Sequence, residues 1–479
     1  MNWAALYKSI PGSEVAVVVV GLVFAACACV KAIARGAAET HKRGVILQDG
    51  AAWQRRGARL RKSNHALLTL AGIPVPFPDE TKHFKIIGTT GTGKSTAIRE
   101  LLGNALARGD RAVFADPDGG YAERFFNRYR GDLILNPFES SSEKWDVFSE
   151  INNSYDVEQL ASGLIPSSND PSASEWRGYA RTFLSAVLRR CHAQKRRRDS
   201  AELWRLLAVA SAEELQPVVA GTPAQPFLDP ENARMFGSIR SVTVSAIAAF
   251  EYIQAQRAAP FSVRAWVRAK SAPGSLFIPY KAGQIAALKS MIATWMRLAI
   301  FEAMSGPEDC DQRLWFVVDE LDALGAIDGL KDALARLRKF GGRCVLGFQS
   351  IAQVSSTYGA GDSQTIIENC SNTLILRCSG AESGGTSQYT SRLIGEREIL
   401  RKQVSRGSDR ETALSARGSR RSKSTSEQHV TEMAVMPSQI EQLPDLCGYL
   451  KAASSHVWLK VSFGPGCGRR IRQFRLKAG

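Results

Sequence analysis

Residues 84–96 have the sequence FKIIGTTGTGKST, and this stretch decides the fold predicted for the chain. Phe84–Ile87 is a short apolar run that ends in two β-branched residues, which is typical of a buried strand. Gly88–Ser95 then matches the pattern G-x-x-x-x-G-K-[ST], and residues 97–102 have the composition of a helix. A strand, a glycine-rich turn and a helix in this order predict a phosphate-binding loop, because glycines let backbone N–H groups surround phosphate oxygens.

The loop predicts ATP and Mg²⁺ as ligands. Lys94 would contact the β- and γ-phosphates, and Ser95 would ligate Mg²⁺. The alternative is a glycine- and threonine-rich loop that matches the pattern by accident, and the strand before it and the helix after it argue against that. The predicted nucleotide-binding residues are Gly88, Thr89, Thr90, Gly91, Thr92, Gly93, Lys94, Ser95 and Thr96.

A second motif lies far along the chain, at Leu314–Glu320, where the sequence is LWFVVDE. An apolar strand followed by two carboxylates is the pattern of a Walker B motif. The carboxyl end of a buried parallel strand faces the ligand edge of the sheet. Asp319 would hold Mg²⁺ through its water shell, and Glu320 would orient or deprotonate the attacking water. The next apolar strand, Arg343–Phe348, ends at Gln349, whose side chain could sense the γ-phosphate.

The other apolar runs predict an α/β fold with a helical insertion. Asp116 and Asp118 follow one predicted strand and would lie near the ligand edge, although turn chemistry also explains them. Residues 150–270 have almost no strand signal but carry two apolar helical faces. One contains Ala180, Phe183, Leu184, Val187 and Leu188, and the other runs from Met235 through Ile239, Val242, Ala246 and Ala249 to Ile253. Further strands are expected at Arg111–Ala115, Asp132–Phe138, Ser275–Pro279, Asn372–Arg377, Val457–Lys460 and Ile471–Leu476. The expected domains are a membrane anchor (1–40), a nucleotide-binding domain in two parts (41–149 and 271–479) and an inserted all-α domain (150–270).

The N-terminal part contains the uncharged run Val15–Val30, which predicts a transmembrane anchor. A buried core helix is one alternative, and a signal peptide cleaved near Ala26–Ala28 is another. Basic residues follow the run more than they precede it, which places the bulk of the chain in the cytoplasm. Ile73–Pro78 is predicted as an extended linker into the loop strand, because each X-Pro step disfavours helix.

The chain is strongly basic, with 62 Lys and Arg against 46 Asp and Glu and a formal net charge of +16. This balance favours nucleic acid or an anionic membrane surface as a partner. Three basic segments stand out: residues 55–62, 189–198 and 397–424. The first two could also be solvated surface. The third is predicted as a flexible hairpin or loop. Nine cysteines without a CxxC pair indicate a reduced chain and argue against a zinc site.

Several stretches together resemble the type IV secretion coupling proteins, the motors of conjugation. Beyond the two motifs, they are Asp116–Gly119, Leu135–Phe138 with Lys144-Trp145, Glu175-Trp176 with Tyr179, Leu346–Ser350, and Met436-Pro437 with Leu443–Leu446. The resemblance implies a RecA-like ATPase with an inserted all-α domain, anchored in the bacterial inner membrane. It also implies a homo-hexamer that moves single-stranded DNA, with an attached relaxase, toward type IV secretion channel components. The family commonly has two N-terminal membrane helices, whereas one is visible here.

The same family uses an arginine that acts on the nucleotide of the neighbouring subunit. Arg343 best matches that position, and Arg336 and Arg338 are competitors. Such an arginine would neutralise charge in the transition state of phosphoryl transfer. Two other functions stay open from the sequence: a protein-secretion or pilus-assembly ATPase of the same core, and a membrane scaffold switched by nucleotide.

Overall fold

The computed structural model describes residues 40–63, 67–168, 170–194, 199–269, 274–380, 385–408 and 421–463. Four predictions fall outside these residues, wholly or in part: the anchor at Val15–Val30, the end of the 189–198 basic run, the middle of the 397–424 basic segment, and the strand at Ile471–Leu476. In the part of the chain that is described, no helix combines the length and the apolarity needed to cross a membrane.

The strands lie largely where the apolar runs predict them. They are β1 (Thr40–Gly44), β2 (Ile46–Asp49), β3 (Thr69–Leu70), β4 (Ile73–Pro74), β5 (Phe84–Ile87), β6 (Arg111–Pro117), β7 (Leu133–Ile134), β8 (Lys144–Trp145), β9 (Pro260–Phe261), β10 (Leu276–Tyr280), β11 (Leu314–Val318), β12 (Gly342–Phe348), β13 (Asn372–Ile375), β14 (Glu396–Ser408), β15 (Arg421–Met433), β16 (Cys447–Lys451) and β17 (Val457–Ser462).

The helices are concentrated between β8 and β10. They are α1 (Ala51–Ser63), α2 (Phe77–Glu80), α3 (Lys94–Ala107), α4 (Gly120–Phe125), α5 (Asp156–Leu164), α6 (Pro171–Ala193), α7 (Ser200–Ala208), α8 (Ala212–Val219), α9 (Ala233–Ala246), α10 (Phe250–Ala255), α11 (Val263–Arg268), α12 (Ile285–Ala303), α13 (Leu330–Leu337), α14 (Ile351–Tyr358), α15 (Ala360–Asn369), α16 (Thr386–Ile394) and α17 (Pro437–Glu441).

The chain divides into two compact units. The smaller unit contains β1 and the chain from Ile394 to Val435. In it, β14 and β15 form an antiparallel hairpin with thirteen-residue strands, and β1 pairs with the base of β14. The described residues of the basic segment 397–424 therefore lie on the two strands of a hairpin, one of its two predicted forms.

The larger unit is built on a ten-stranded sheet with the order β2-β17-β16-β13-β5-β12-β11-β6-β10-β7. The seven strands from β13 to β7 are parallel to their neighbours, and β16 and β17 continue the sheet antiparallel. All five residues of β11 and all seven of β12 are buried, as expected for central parallel strands covered on both faces. This order places the carboxyl ends of β5, β12, β11 and β6 side by side.

Seven helices, α5–α11, lie in the region 150–270 where the sequence predicts a helical insertion, and β9 is the one strand described there. The α6 face is buried at the expected positions Ala180, Phe183, Leu184, Val187 and Leu188. One expected helix is instead two, because the helical face predicted to run from Met235 to Ile253 breaks between α9 and α10.

The predicted linker before the loop strand is more ordered than expected. Ile73–Pro74 is β4, paired with β3, and Phe77–Glu80 is the short helix α2. Pro76 is its extended N-cap and Pro78 lies in its first turn, where the missing N–H costs nothing. The X-Pro argument therefore holds for Ile73 and Val75, which are not helical, but fails for Phe77, which precedes Pro78 and is the first residue of α2.

The burial of His83 predicts that the folded protein loses stability in acid. Its ring is fully buried, with Nε2 2.9 Å from the Leu334 carbonyl and Nδ1 accepting from the Cys344 N–H at 3.1 Å. Burial lowers the pKa of His83 from 6.5 to about 4. Below its ordinary pKa, the unfolded chain binds a proton that the folded chain refuses. We expect the His83 contribution, about 3 kcal/mol in the free energy of unfolding, to be lost progressively between these two values.

The measurement is denaturant unfolding across that pH range, compared with His83→Asn. Asparagine tolerates the positive φ of 54° at this position but does not titrate. The variant should be less stable at neutral pH and should have a shallower acid slope. Equal slopes for the two chains would contradict the assignment.

Candidate nucleotide-binding site

The phosphate-binding loop joins β5 to α3, as predicted. Gly91 and Gly93 adopt φ values of 80° and 115°, in the region that other residues avoid. The loop tip at Thr90 and Gly91 is exposed, whereas Gly88 and Thr92 are buried. The Thr92 hydroxyl donates to the Thr89 carbonyl at 2.7 Å, which closes the loop on itself. The loop thus keeps its backbone donors around an open mouth at the N-terminus of α3.

Lys94 points along the inner side of this loop. Its Nζ donates to the carbonyls of Gly88 at 2.7 Å and Thr89 at 3.2 Å. Burial lowers the pKa of Lys94, and Asp319 and Glu320 act in the opposite direction. A partly desolvated ammonium held between loop and carboxylates is suited to binding phosphate oxygens.

Ser95, in the first turn of α3, meets Asp319, which follows β11. The Ser95 hydroxyl donates to Asp319 Oδ2 at 2.6 Å, and the Tyr121 hydroxyl donates to the same oxygen at 2.7 Å. Asp319 is buried, and its Oδ1 has no hydrogen-bond partner among the described residues. A buried carboxylate oxygen without a donor, next to a serine hydroxyl, fits the all-oxygen ligand preference of Mg²⁺. The residues predicted as metal ligands are therefore together.

Glu320 and Gln349 form the next pair along the same edge. The Gln349 amide donates to Glu320 Oε1 at 2.5 Å. Burial raises the pKa of Glu320, the Gln349 amide opposes the shift, and the nearby Asp319 carboxylate adds to it. A carboxylate with a raised pKa, fixed by one hydrogen bond, is suited to accepting a proton from water. The structure thus brings five predicted residues together: Lys94, Ser95, Asp319, Glu320 and Gln349.

Tyr121 belongs to this site but was missed by the sequence reasoning. It is 2% exposed, and its pKa is raised by burial and by Asp319. Asp116 accepts hydrogen bonds from the backbone N–H groups of Tyr121 and Ala122, which fixes the start of α4. Burial raises the pKa of Asp116 to about 6. The only sequence signal for Tyr121 was its place just after the Asp116–Gly120 turn at the predicted ligand edge.

A segment near the C-terminus packs against the outer side of the loop. The Leu446 N–H donates to the Thr92 carbonyl at 2.9 Å. A Cβ on Gly93 would lie 2.8 Å from the movable Leu446 Cδ2, and the φ of 115° is what favours glycine there. Asp445 forms an ion pair with Arg377 at 2.5 Å, and the Arg377 carbonyl accepts from the Thr89 N–H. The loop is therefore braced by residues that follow it by more than 280 positions.

Arg343 is not where its predicted role requires. The side chain is 0% exposed, and Nε pairs with Glu80 Oε2 at 3.0 Å. The guanidinium also lies between the rings of Phe77 and Trp315. Arg343 stands at the start of β12, roughly 20 Å of strand away from Gln349 at its end. Its partners hold it inside the protein, so it offers no donor to a neighbouring subunit from this position.

Comparison with known proteins identifies the family. The family model described as the type IV secretion-system coupling protein DNA-binding domain matches residues 67–463. The chain is 29% identical over 404 residues to coupling protein TraD of Escherichia coli (strain K12), covering 82% of this chain and 54% of TraD. It thus spans about half the length of that relative.

Solved structures of the plasmid coupling protein TrwB share this fold. TrwB in complex with ADP and Mg²⁺ matches with a TM-score of 0.76 and 29% identity, over 91% of this chain and 96% of that one. TrwB in complex with a non-hydrolysable ATP analogue matches with the same TM-score and identity, over 92% and 96%. These matches confirm the α/β architecture with its RecA-like core.

Proposed function

The chain belongs to the type IV secretion-system coupling protein family, and from that premise we propose that it is an ATP-driven motor that moves single-stranded DNA during conjugation. One observation carries the proposal. One edge of the parallel sheet brings together a phosphate-binding loop, the Glu320–Gln349 pair and Asp319 Oδ1, which has no hydrogen-bond partner among the described residues. That combination can bind a nucleoside triphosphate and hydrolyse it.

The reaction is ATP plus water giving ADP and phosphate. Ser95 and Asp319 would hold Mg²⁺, which would supply positive charge to the phosphate oxygens. Lys94 contacts the β- and γ-phosphates and stabilises the charge that develops on them. Glu320 accepts the proton of the attacking water, and Gln349 keeps its carboxylate in place. Tyr121 donates to Asp319 Oδ2, which leaves Oδ1 available to ligate a metal ion.

The partners extend the same proposal. A net charge of +16 suits a polyanionic cargo, and the relatives TraD and TrwB are coupling proteins. We propose that the chain works as a homo-hexamer anchored in the bacterial inner membrane, with its bulk in the cytoplasm. There it would pass a relaxase–DNA substrate to the type IV secretion channel. The proposed domains are those expected from the sequence, with the all-α insertion at 150–270.

The test is phosphate release by the full chain with and without single-stranded DNA, together with DNA affinity as a function of salt. We expect stimulation by DNA and a steep fall of affinity with salt, because the contacts are to phosphates. Stimulation by unfolded polypeptide instead of DNA would favour a protein-secretion ATPase. Negligible turnover in the assembled oligomer would favour a nucleotide-switched scaffold.

Tyr121→Phe should raise the Mg²⁺ concentration needed for nucleotide binding by about tenfold. The variant keeps the ring but removes one of the two donors to Asp319 Oδ2, and outer partners of metal ligands contribute that much. The measurement is nucleotide affinity during a Mg²⁺ titration, with Tyr129→Phe, whose ring is fully exposed, as the control. An unchanged Mg²⁺ dependence would show that Ser95 alone positions the carboxylate.

The arginine acting between subunits is proposed to be Arg338 or Arg336, since both are exposed beside α13. Replacing the acting arginine with alanine should lower turnover in the oligomer by about 10³-fold and leave the melting temperature unchanged. Arg343→Ala should instead lower the melting temperature, because Glu80 loses a buried partner. Phosphate release and thermal unfolding of the three variants separate the two roles. Full activity of both surface variants would refute an arginine at either position.

A further inference from the structure

Within the larger unit, a groove of about 920 Å³ lies between helices of the 150–270 region and the helices α12 and α14. We call it the junction groove. Its walls come from α6, α9 and α12, from the loop that follows Glu320, and from the end of α14. The residues that carry the argument are Trp176, Arg177, Ser241, Lys289, Gly325 and Thr357.

The junction groove has the chemistry of a polyanion site. No Asp or Glu occurs among the described residues that line it, whereas Arg177 and Lys289 do. Neither cation forms an ion pair with any described residue. Serine and threonine hydroxyls make up much of the remaining surface, and the half-buried Trp176 adds an indole. Cations, hydroxyl donors and an aromatic ring are what a sugar–phosphate backbone and its bases require.

Arg177 is already fixed on the groove wall. Its Nη1 donates to the carbonyls of Pro166 at 3.0 Å and Ser167 at 3.1 Å. These bonds hold the guanidinium in place without neutralising it. Trp176 is held edge-to-face by Tyr179, with ring centroids 5.9 Å apart. A site whose side chains are held in this way loses little entropy on binding.

The wall of the groove formed by the Gly325 loop and α14 connects it along the chain to the nucleotide site. The Gly325 loop leaves Glu320, and α14 leaves Gln349, so both catalytic strand ends continue into the groove. The Tyr358 hydroxyl accepts from the Ile327 N–H at 3.1 Å and donates to the Gly325 carbonyl at 3.4 Å, which ties the loop to α14. A strand of DNA in the groove would therefore touch segments that move with Glu320 and Gln349.

We propose that the junction groove binds the backbone phosphates of single-stranded DNA through Arg177 and Lys289, and stacks one base on Trp176. The proposal rests on the proposed function and adds where in each subunit the cargo is held.

The test compares the full chain with Arg177→Ala/Lys289→Ala, using a fluorescein-labelled oligothymidylate at several salt concentrations. Losing two phosphate contacts should reduce the slope of log affinity against log salt by about 1.4. Arg257→Ala/Lys460→Ala removes the same charges from exposed positions outside the groove and should keep the slope. Trp176→Ala should weaken binding about tenfold at an unchanged slope, and Trp176→Phe should restore most of it.

The following results would contradict DNA binding in the junction groove. An unchanged slope in the first pair, or an equal change in the control pair, would place the phosphate contacts elsewhere. A changed oligomer mass with the wild-type slope would make the groove a contact between copies of the chain. Thermal unfolding checks that the variants fold, and Arg177→Gln/Lys289→Gln replaces the alanine pair if they do not. Wild-type chain without salt-dependent binding would overturn the proposed function as well.

Discussion

Replacing Glu320 with glutamine is expected to lower ATP turnover by 10²- to 10⁴-fold, roughly the contribution of a general base. Glutamine keeps the shape of the side chain and an oxygen that can accept from the Gln349 amide. It cannot take a proton from water. Because Ser95, Asp319 and Lys94 are unchanged, Mg²⁺–nucleotide affinity should stay close to wild type. The measurements are phosphate release and equilibrium binding of a fluorescent ATP analogue.

Asp322→Asn is the matched control for this prediction. Asp322 follows Glu320 in the same loop, is also partly buried, and loses its charge in the same way. Its turnover should remain within a few-fold of wild type. If Glu320→Gln hydrolysed ATP at close to the wild-type rate, another group would be the base. If the Glu320→Gln variant also lost nucleotide binding, Glu320 would contribute to binding the nucleotide itself rather than to activating the attacking water.

Lys94→Ala is expected to remove both nucleotide binding and hydrolysis. The ammonium is the only loop side chain charged to meet the β- and γ-phosphates, and such a group contributes 10²-fold or more to the rate. The fold should persist, because Lys94 Nζ bonds only to carbonyls of its own loop and burial already disfavours its charge. Wild-type chain should melt higher with Mg²⁺–ATP, since ligand binds the folded state alone. The variant should melt at one temperature with or without it.

Lys82→Ala provides the comparison, since it removes a lysine that pairs with Asp79 just before β5. It should keep the nucleotide-dependent rise in melting temperature. A Lys94→Ala chain that still gained stability from Mg²⁺–ATP would mean that backbone N–H groups and Mg²⁺ suffice for binding. In that case Lys94 would stabilise the transition state of hydrolysis without contributing to nucleotide binding.

The sequence located the site well where local pattern was enough. The loop, Asp319, Glu320 and Gln349 each stand at the end of a buried apolar strand, and parallel strands bring such ends to one edge. Arg343 was misplaced because its partner Glu80 is 263 residues away, and charge alone does not reveal a buried ion pair. Tyr121 was missed for the same reason, since it meets Asp319 across 198 residues.

Strand lengths were least predictable at the rim of the sheet. The run Asp132–Phe138 was expected to be a strand and its exit, and the strand β7 contains only Leu133 and Ile134. There the Asn136 side-chain amide donates to the Pro279 carbonyl at 2.8 Å, in place of a backbone hydrogen bond between the two strands. An edge strand has one neighbour, and its extent depends on such individual contacts more than on apolar pattern.

The bracing of the loop by Leu446 has a consequence for biosynthesis. A ribosome releases Gly88–Ser95 long before it has made residues 445 and 446, and β16, which follows them, is laid beside β13 later still. The nascent chain therefore carries the phosphate loop without its outer support for most of translation. The site with all of its contacts, including the Leu446 brace, therefore exists only once the C-terminal portion has been synthesised.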